Sequence, residues 1–410
     1  MTSRNVTKPG TNIAIAQANP TAAYLHIPFC RRRCYYCDFP ISVLGDRLRG
    51  ETSGTMRQYA DRLCQEIQAA PDYGAKLETV FFGGGTPSLL AVEQLQQLLL
   101  CLKQRFGLDP LAEISMEIDP GTFDLAHIQG YQAAGINRVS LGVQAFQPEI
   151  LSACGRTHTA ADIDQAVDWL HQADIKNYSL DLISGLPHQT IEHWQASLER
   201  AIALQPQHIS IYDLTIEPNT AFGKWYQPGV APLPSDDRSA AMYRLAQQVL
   251  TQAGFDHYEI SNYARPGYQC RHNRVYWQNR PYYGFGMGAT SYLKTQRFGR
   301  PRKLREYYRW VDSYQQTRMI DCPPTPPAEQ LLDGLMVGLR LAEGIDLAVL
   351  NQQFGSETVE RLQKRLRPYI QQGWVEIVAA GATSARLRLS DPEGFLFSNV
   401  VLTALFEEFD

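Results

Sequence analysis

The chain is short of surplus positive charge, of long apolar runs and of paired cysteines, and each shortage removes a class of function. Its 38 Lys and Arg stand against 42 Asp and Glu, a formal net charge of −4. Nucleic-acid-binding domains carry a basic excess, so no nucleic-acid partner is expected. No uninterrupted apolar run approaches the roughly 18 residues of a membrane span, so no transmembrane segment is expected. The polar opening MTSRNVTKPGTNIAIAQANP lacks the apolar centre of a secretory signal. Eight cysteines in 410 residues are too few for a disulfide scaffold, and the plain reading is a cytoplasmic protein with reduced thiols. What the chain does have is core material: 44% hydrophobic residues and 20% charged ones, a globular composition that excludes disorder. Its length exceeds one ordinary domain of roughly 100–200 residues.

From about residue 22, short β-branched or aromatic runs alternate with amphipathic stretches. Candidate strands cover Ala23–Ile27, Thr79–Phe82, Glu113–Ile118, Asn137–Val143, Asn177–Ile183 and His208–Leu214. Between them Met56, Tyr59, Ala60, Leu63, Cys64 and Ile67 recur at three- and four-residue steps, as do Leu95, Leu98, Leu99, Leu102 and Phe106. Each set is an apolar stripe on one helix face. Further helices are expected over Ala160–Gln172, Thr190–Leu204 and Asp236–Ala253. Six strand–helix repeats imply parallel strands with helical crossovers, so the fold class is α/β, a partial (β/α)6 TIM-like barrel, with an open doubly wound sheet as the alternative. The expected division is a flexible segment over 1–21, the barrel over 22–255, a connecting region over 256–321 and a C-terminal module over 322–410. Alternation decays after residue 255. The run Cys322–Pro327 reads as a linker, and the helices and two short strands beyond it predict a small α+β, winged-helix-like module.

Cys30, Cys34 and Cys37 follow the first strand in C-x3-C-x2-C spacing. A loop this tight aims three thiolates at one centre and offers no local fourth. Structural zinc usually takes four ligands in short-spaced pairs, and a disulfide leaves one thiol over; iron–sulfur ligation fits best. Arg31, Arg32 and Arg33 are expected to lower the thiol pKa values by proximity, and they also read as a solvated turn. Cys64, Cys101, Cys154, Cys270 and Cys322 need no role beyond that of small buried hydrophobes.

Phe81-Phe82-Gly83-Gly84-Gly85-Thr86-Pro87 closes the second strand. Consecutive glycines permit positive φ and close approach to a ligand, but this is neither a P-loop nor a dinucleotide fingerprint. Glu117 ends the third strand, Gln144 the fourth, Asp181 lies in the fifth, and Arg156 follows in a loop. Each alone reads as a strand-end cap. In a parallel barrel, however, all strand C-termini open onto one face, where ligands bind, so these residues and the cysteines are expected to share a site.

The stretch HIPFC…CYYCDF resembles the radical SAM superfamily, in the branch that holds the anaerobic coproporphyrinogen III oxidases and their haem-chaperone relatives. The resemblance implies a 4Fe-4S cluster on Cys30, Cys34 and Cys37, with S-adenosylmethionine chelated to the open iron. It maps Tyr24, Gly84, Gly85, Thr86, Glu117, Gln144, Arg156 and Asp181 onto the S-adenosylmethionine positions. Carboxylates would face the ribose and ammonium groups, and Arg156 the methionyl carboxylate. Thr215–Thr220 also matches the family, with no contact assigned. The oxidases carry a further cysteine where this chain has Phe39, and a longer N-terminal extension. His272-Asn273-Arg274-Val275-Tyr276-Trp277 resembles the haem-binding motif of the chaperones, which implies haem binding by His272, Asn273, Tyr276 and Trp277. Histidine is a natural haem ligand, although a lone histidine in an aromatic-rich segment is also the usual mark of a structural residue. The resemblance therefore implies a protein that binds haem and passes it to an acceptor protein, with oxidative decarboxylation of coproporphyrinogen III as the rival activity. From charge alone, an acidic electron donor, a flavodoxin or ferredoxin, is expected to dock near Arg31–Arg33.

Overall fold

The computed structural model describes residues 18–46, 49–379 and 384–409. Most of the expected 1–21 segment lies outside the described residues. Six parallel strands form the frame: β1 (Ala22–Ile27), β2 (Leu77–Gly84), β3 (Leu108–Ile118), β4 (Arg138–Gln144), β5 (Tyr178–Ser184) and β6 (His208–Asp213). They pair in sequence order, β1 beside β2 through to β5 beside β6. The crossovers are α1 (Gly54–Ala69), α2 (Val92–Phe106), α3 (Leu125–Ala134), α4 (Ala160–Gln172) and α5 (Ile191–Ala203), and α6 (Asp236–Gln252) follows β6. Local chemistry sets the helix starts. The Ser53 hydroxyl accepts from the Met56 N–H ahead of α1, and Thr159 with Asp162 forms a reciprocal capping box ahead of α4. The stripes read from the sequence face inward: Met56, Leu63 and Ile67 of α1 and Leu95, Leu98 and Leu102 of α2 are wholly buried in one core with the strands.

Three short strands missing from the sequence reading extend this sheet. They are β7 (Asp256–Glu259), β8 (Asn262–Ala264) and β9 (Tyr283–Phe285), giving the order β9-β1-β2-β3-β4-β5-β6-β8-β7. Strand β9 runs parallel to β1, while β8 runs antiparallel to both β6 and β7. The region after residue 255 is thus part of the barrel wall rather than a mere connection. Strands of three or four residues carry too few side chains for a period to register. A buried ion pair anchors the β9 edge: Glu66 of α1 accepts from Arg300 Nε (2.8 Å), Tyr307 Oη (2.7 Å) and Gly286 N (2.9 Å). Between β8 and β9 lies a short helix, α7 (Arg271–Trp277).

The C-terminal module has its own core, built on Leu335, Leu350, Leu362, Leu366, Leu387, Val401 and Leu405. Its antiparallel sheet has three strands, not two, because Ile345–Asp346 pairs with Ala385–Leu389 beside Val375–Ala379. Arg244 Nε to Glu393 (2.6 Å) and His257 Nδ1 to Asp391 (2.8 Å) tie it to the barrel.

Candidate functional site

The cysteine loop springs from the C-terminal end of β1 and is stitched to the glycine turn beside it. Gly85 N donates to Ile27 O (2.9 Å) and Thr86 N to Phe29 O (2.7 Å). A Cβ on Gly85 would lie 2.7 Å from Phe29 O, and one on Gly84, at φ +117°, would lie 2.5 Å from the His26 ring. Glycine is required here because two backbones and a ring meet without room for a side chain. His26 fastens the far side of the loop. Its Nε2 donates to Pro40 O (3.0 Å), so its Nδ1 accepts from the Tyr24 hydroxyl (3.0 Å). Phe29–Cys30 pairs with Ser42–Val43, closing the loop at its base.

One cavity of about 420 Å³ opens at this end of the barrel, within the usual range for small-molecule sites. Cys30, Cys34, Cys37, Gly84, Gly85 and Thr86 line it together with Glu117, Gln144, Arg156 and Asp181. Ten of the eleven residues assigned to the cluster and the nucleotide therefore meet at one place. Tyr24 does not line the cavity. It lies deeper on β1, stacked on Phe81 with 6.3 Å between ring centroids and hydrogen-bonded to His26. Thr215 and Glu217 line the cavity too, as do Tyr212 and Phe39, whose rings are about half exposed.

Enclosure sets the electrostatics. Lack of solvent pushes the Glu117 carboxyl up to about 8, against the Gly84 N–H that it accepts at 2.9 Å, with Asp181 and Asp119 adding to the rise. Asp181 is raised by the same enclosure, although Ser140 donates to both its oxygens (2.9 and 2.8 Å). Burial likewise pushes the Cys30 thiol up to about 12 and raises Cys37. The expectation that the three arginines lower these thiols is corrected. Arg31 donates to Gly121 O (2.8 Å), Arg32 pairs with Asp46 (2.7 Å) and Arg33 donates to Cys37 O (3.0 Å); Arg33 does lower the Cys37 thiol but burial outweighs it, and none of the three is a cause at Cys30. The thiols would be deprotonated by the metal they bind.

Asp119, two residues beyond Glu117, is the functional residue that sequence reasoning missed. It receives Arg156 Nη2 (2.6 Å) and Thr86 Oγ1 (3.2 Å). Those two donors also reach the cysteines, Arg156 Nη1 at 3.7 Å from Cys34 Sγ and Thr86 Oγ1 at 3.6 Å from Cys30 Sγ. The available signal was its place in Ile118-Asp119-Pro120, just past the end of a barrel strand. Among the described residues, no three Cys, His, Asp or Glu side chains are close enough together to hold a single metal ion. Three thiols in one short loop, with no local fourth ligand, suit an iron–sulfur group better than a four-ligand structural zinc.

The four residues expected to bind haem are elsewhere, and of them only His272 and Tyr276 meet. His272, on α7, is wholly buried against the opposite end of β2. Its Nδ1 meets Thr79 Oγ1 (2.8 Å), its Nε2 meets the Tyr276 hydroxyl (2.9 Å), and its ring stacks on Phe81. Five residues of strand, about 16 Å at 3.3 Å per residue, separate Thr79 from Gly84. Burial lowers His272 to about 3, with Arg138 adding to the effect. Trp277 turns instead toward the C-terminal module, where the Arg340 guanidinium lies 4.7 Å over its ring, and Asn273 caps onto Cys270 through its backbone N–H. With both ring nitrogens engaged, His272 presents no free lone pair, and this set does not fit a haem as it stands.

A partial parallel barrel with a three-cysteine loop and a glycine turn at its open end defines a radical SAM protein. The radical SAM superfamily model matches residues 24–201, and the HemN C-terminal domain model matches residues 325–395. The heme chaperone HemW of Synechocystis sp. is 51% identical over 94% of this chain and 96% of its own. That of Escherichia coli is 38% identical over 74% of this chain and 80% of its own. Among solved structures, the coproporphyrinogen III oxidase HemN of Escherichia coli, a radical SAM enzyme, has a TM-score of 0.78 at 25% identity, covering 95% of this chain and 91% of that one. The chain belongs to the heme chaperone HemW family.

Proposed function

We propose that the protein is a haem chaperone that holds a 4Fe-4S cluster on Cys30, Cys34 and Cys37, binds S-adenosylmethionine beside it, and transfers haem to an acceptor protein. The observation that carries this reading is the meeting of three thiols, a glycine turn and the polar side chains of Glu117, Gln144, Arg156 and Asp181 in one cavity, in a chain 51% identical to a heme chaperone. When bound, the cluster and nucleotide together would supply one-electron chemistry. The protein's own share is positional. The Gly84–Thr86 turn offers backbone close to the thiols, and Arg156 offers a planar fork suited to a carboxylate. Asp119 holds that fork in place, and Glu117 and Asp181 present carboxyls across the cavity.

Haem capture is not assigned to His272 in this conformation, since both its ring nitrogens are bonded. An electron donor of the flavodoxin or ferredoxin type would meet Arg31–Arg33 on the exposed side of the cysteine loop. No described helix is long and apolar enough to cross a membrane, and a reducing, cytoplasmic setting suits unpaired thiols.

Cluster-reconstituted protein tests the reading. The expected result is stoichiometric haem binding, passage of that haem to an acceptor, and no protoporphyrinogen from coproporphyrinogen III under reducing, anaerobic conditions. Turnover of that porphyrin would replace the chaperone with the oxidase, whose fold the chain shares.

A further inference from the structure

We propose that His208 is a further positioning residue for the nucleotide pocket, tying the pocket carboxylate Asp181 to the helix that closes the barrel floor. The proposal rests on the reading of Asp181 as a group that faces the bound nucleotide.

His208 begins β6, wholly buried inside the barrel, and nothing in the cysteine or glycine motifs points to it. Its Nδ1 is 2.8 Å from Ser179 Oγ and its Nε2 is 2.9 Å from the Tyr258 hydroxyl. Ser179 in turn donates to Asp181 Oδ1 (3.2 Å), and Tyr258 accepts from the backbone N–H of Cys270 (3.3 Å), the residue that caps α7. The Asp181 oxygen that accepts from Ser179 and the Cys270 N–H that donates to Tyr258 fix the two ends, and Ser210 Oγ, 3.4 Å from Ser179 Oγ, is a second neighbour of the same hydroxyl. The Ser179 hydroxyl points at Asp181 and must accept from His208 Nδ1–H. Nε2 is then the lone pair that accepts the Tyr258 hydroxyl, and Tyr258 oxygen accepts from Cys270. With Ser179 donating to Asp181, the chain takes a neutral imidazole in the Nδ1–H form. The histidine is kept neutral by burial, with the nearby Arg138 guanidinium acting in the same direction.

The chain crosses the barrel from floor to cavity. Bonds aligned head to tail polarise one another and gain strength in a low-dielectric interior. Asp181 is therefore held at an orientation set partly by where α7 sits, and a displacement of α7 would be felt in the pocket. The same helix carries His272 and Trp277, so the device links the floor to the open end without a contact between them.

Cluster-loaded variants test this, with S-adenosylmethionine affinity read from its perturbation of the reduced cluster's EPR spectrum. His208→Phe and Ser179→Ala should keep iron and sulfide content and bind S-adenosylmethionine about ten-fold more weakly: Ser179→Ala deletes a bond to the carboxylate, and His208→Phe removes the donor that orients Ser179 toward it. Tyr258→Phe, which breaks only the far link, should cost about three-fold. His208→Asn places an amide N–H where Nδ1–H stands and should recover most of the affinity, a rescue that mere filling of space would not give. Should His208→Phe fail to fold, Ser179→Ala and Tyr258→Phe carry the test. Parental affinity in the folded variants, with weakened binding in Asp181→Asn, would overturn the role of His208 alone. Parental affinity in Asp181→Asn as well would overturn the nucleotide reading of Asp181 and the proposal with it.

Discussion

At the C-terminal ends of the strands, polar side chains reach into an open cavity, whereas at the N-terminal ends they are spent on one another. Glu117, Gln144, Asp181 and the three thiols face space at the open end. At the floor, Glu113 accepts from the N–H groups of Arg271 (3.1 Å) and His272 (3.0 Å), and His272 meets Thr79 and Tyr276. Residue type alone therefore does not mark a ligand site. His272 and Tyr276, bonded to each other and to Thr79, form a plug at one end of the same strands whose other end is a pocket. What separates the two is whether donors and acceptors still have capacity to spare.

That contrast can be broken from either end. The largest effect is expected at the open end: Cys30→Ser, Cys34→Ser or Cys37→Ser should each abolish cluster assembly, read as loss of iron and sulfide from reconstituted protein, with the fold retained by circular dichroism. Next comes pH. Glu117 would release its proton near 4.5 when unfolded but only at about 8 when folded, so the folded cluster-free protein binds more protons between these values. Its stability should fall as pH rises from about 5 to about 8 and level off above. Glu117→Gln should remove that decline, and urea midpoints across the range check it.

At the floor, Glu113→Ala would strip a partner from two buried N–H groups and a counter-charge from Arg138, which is 2% exposed. We expect a loss of about 3 kcal/mol in denaturant unfolding, with the cysteine loop still able to take up iron. Asp119→Asn should be milder for the fold and specific to the pocket. It loosens Arg156 and should weaken S-adenosylmethionine binding by about ten-fold in equilibrium titration. The smallest change belongs to neither end. Arg244→Ala removes a solvent-exposed ion pair to Glu393 on the C-terminal module and should shift stability by about 0.5 kcal/mol or less.

The open end was largely legible in the sequence because its residues are fixed to strand ends by local spacing. The six long strands announce themselves through runs such as Tyr178–Ser184 and His208–Asp213, and Gly84, Glu117 and Gln144 stand at or next to the ends of such strands, with Asp181 inside one. Asp119 escaped notice because an aspartate before proline reads equally well as a turn residue. The floor was not legible. Contacts such as Thr79 with His272 join residues 193 apart, and β7, β8 and β9 are too short to show a period. A motif resemblance grouped His272, Asn273, Tyr276 and Trp277 as one site, but their helix turns His272 and Tyr276 into the barrel and Trp277 toward Arg340. Side-chain direction on a helix settles that question, and it depends on packing that no linear pattern records.

The most direct test of the central claim is the EPR spectrum of anaerobically reconstituted, reduced protein, recorded with and without S-adenosylmethionine alongside iron and sulfide analysis. The account predicts about four irons and four sulfides per chain, a reduced-cluster signal that shifts when S-adenosylmethionine is added, and loss of that shift in Arg156→Ala. A protein that carries zinc without sulfide, or a cluster signal indifferent to S-adenosylmethionine, would contradict it.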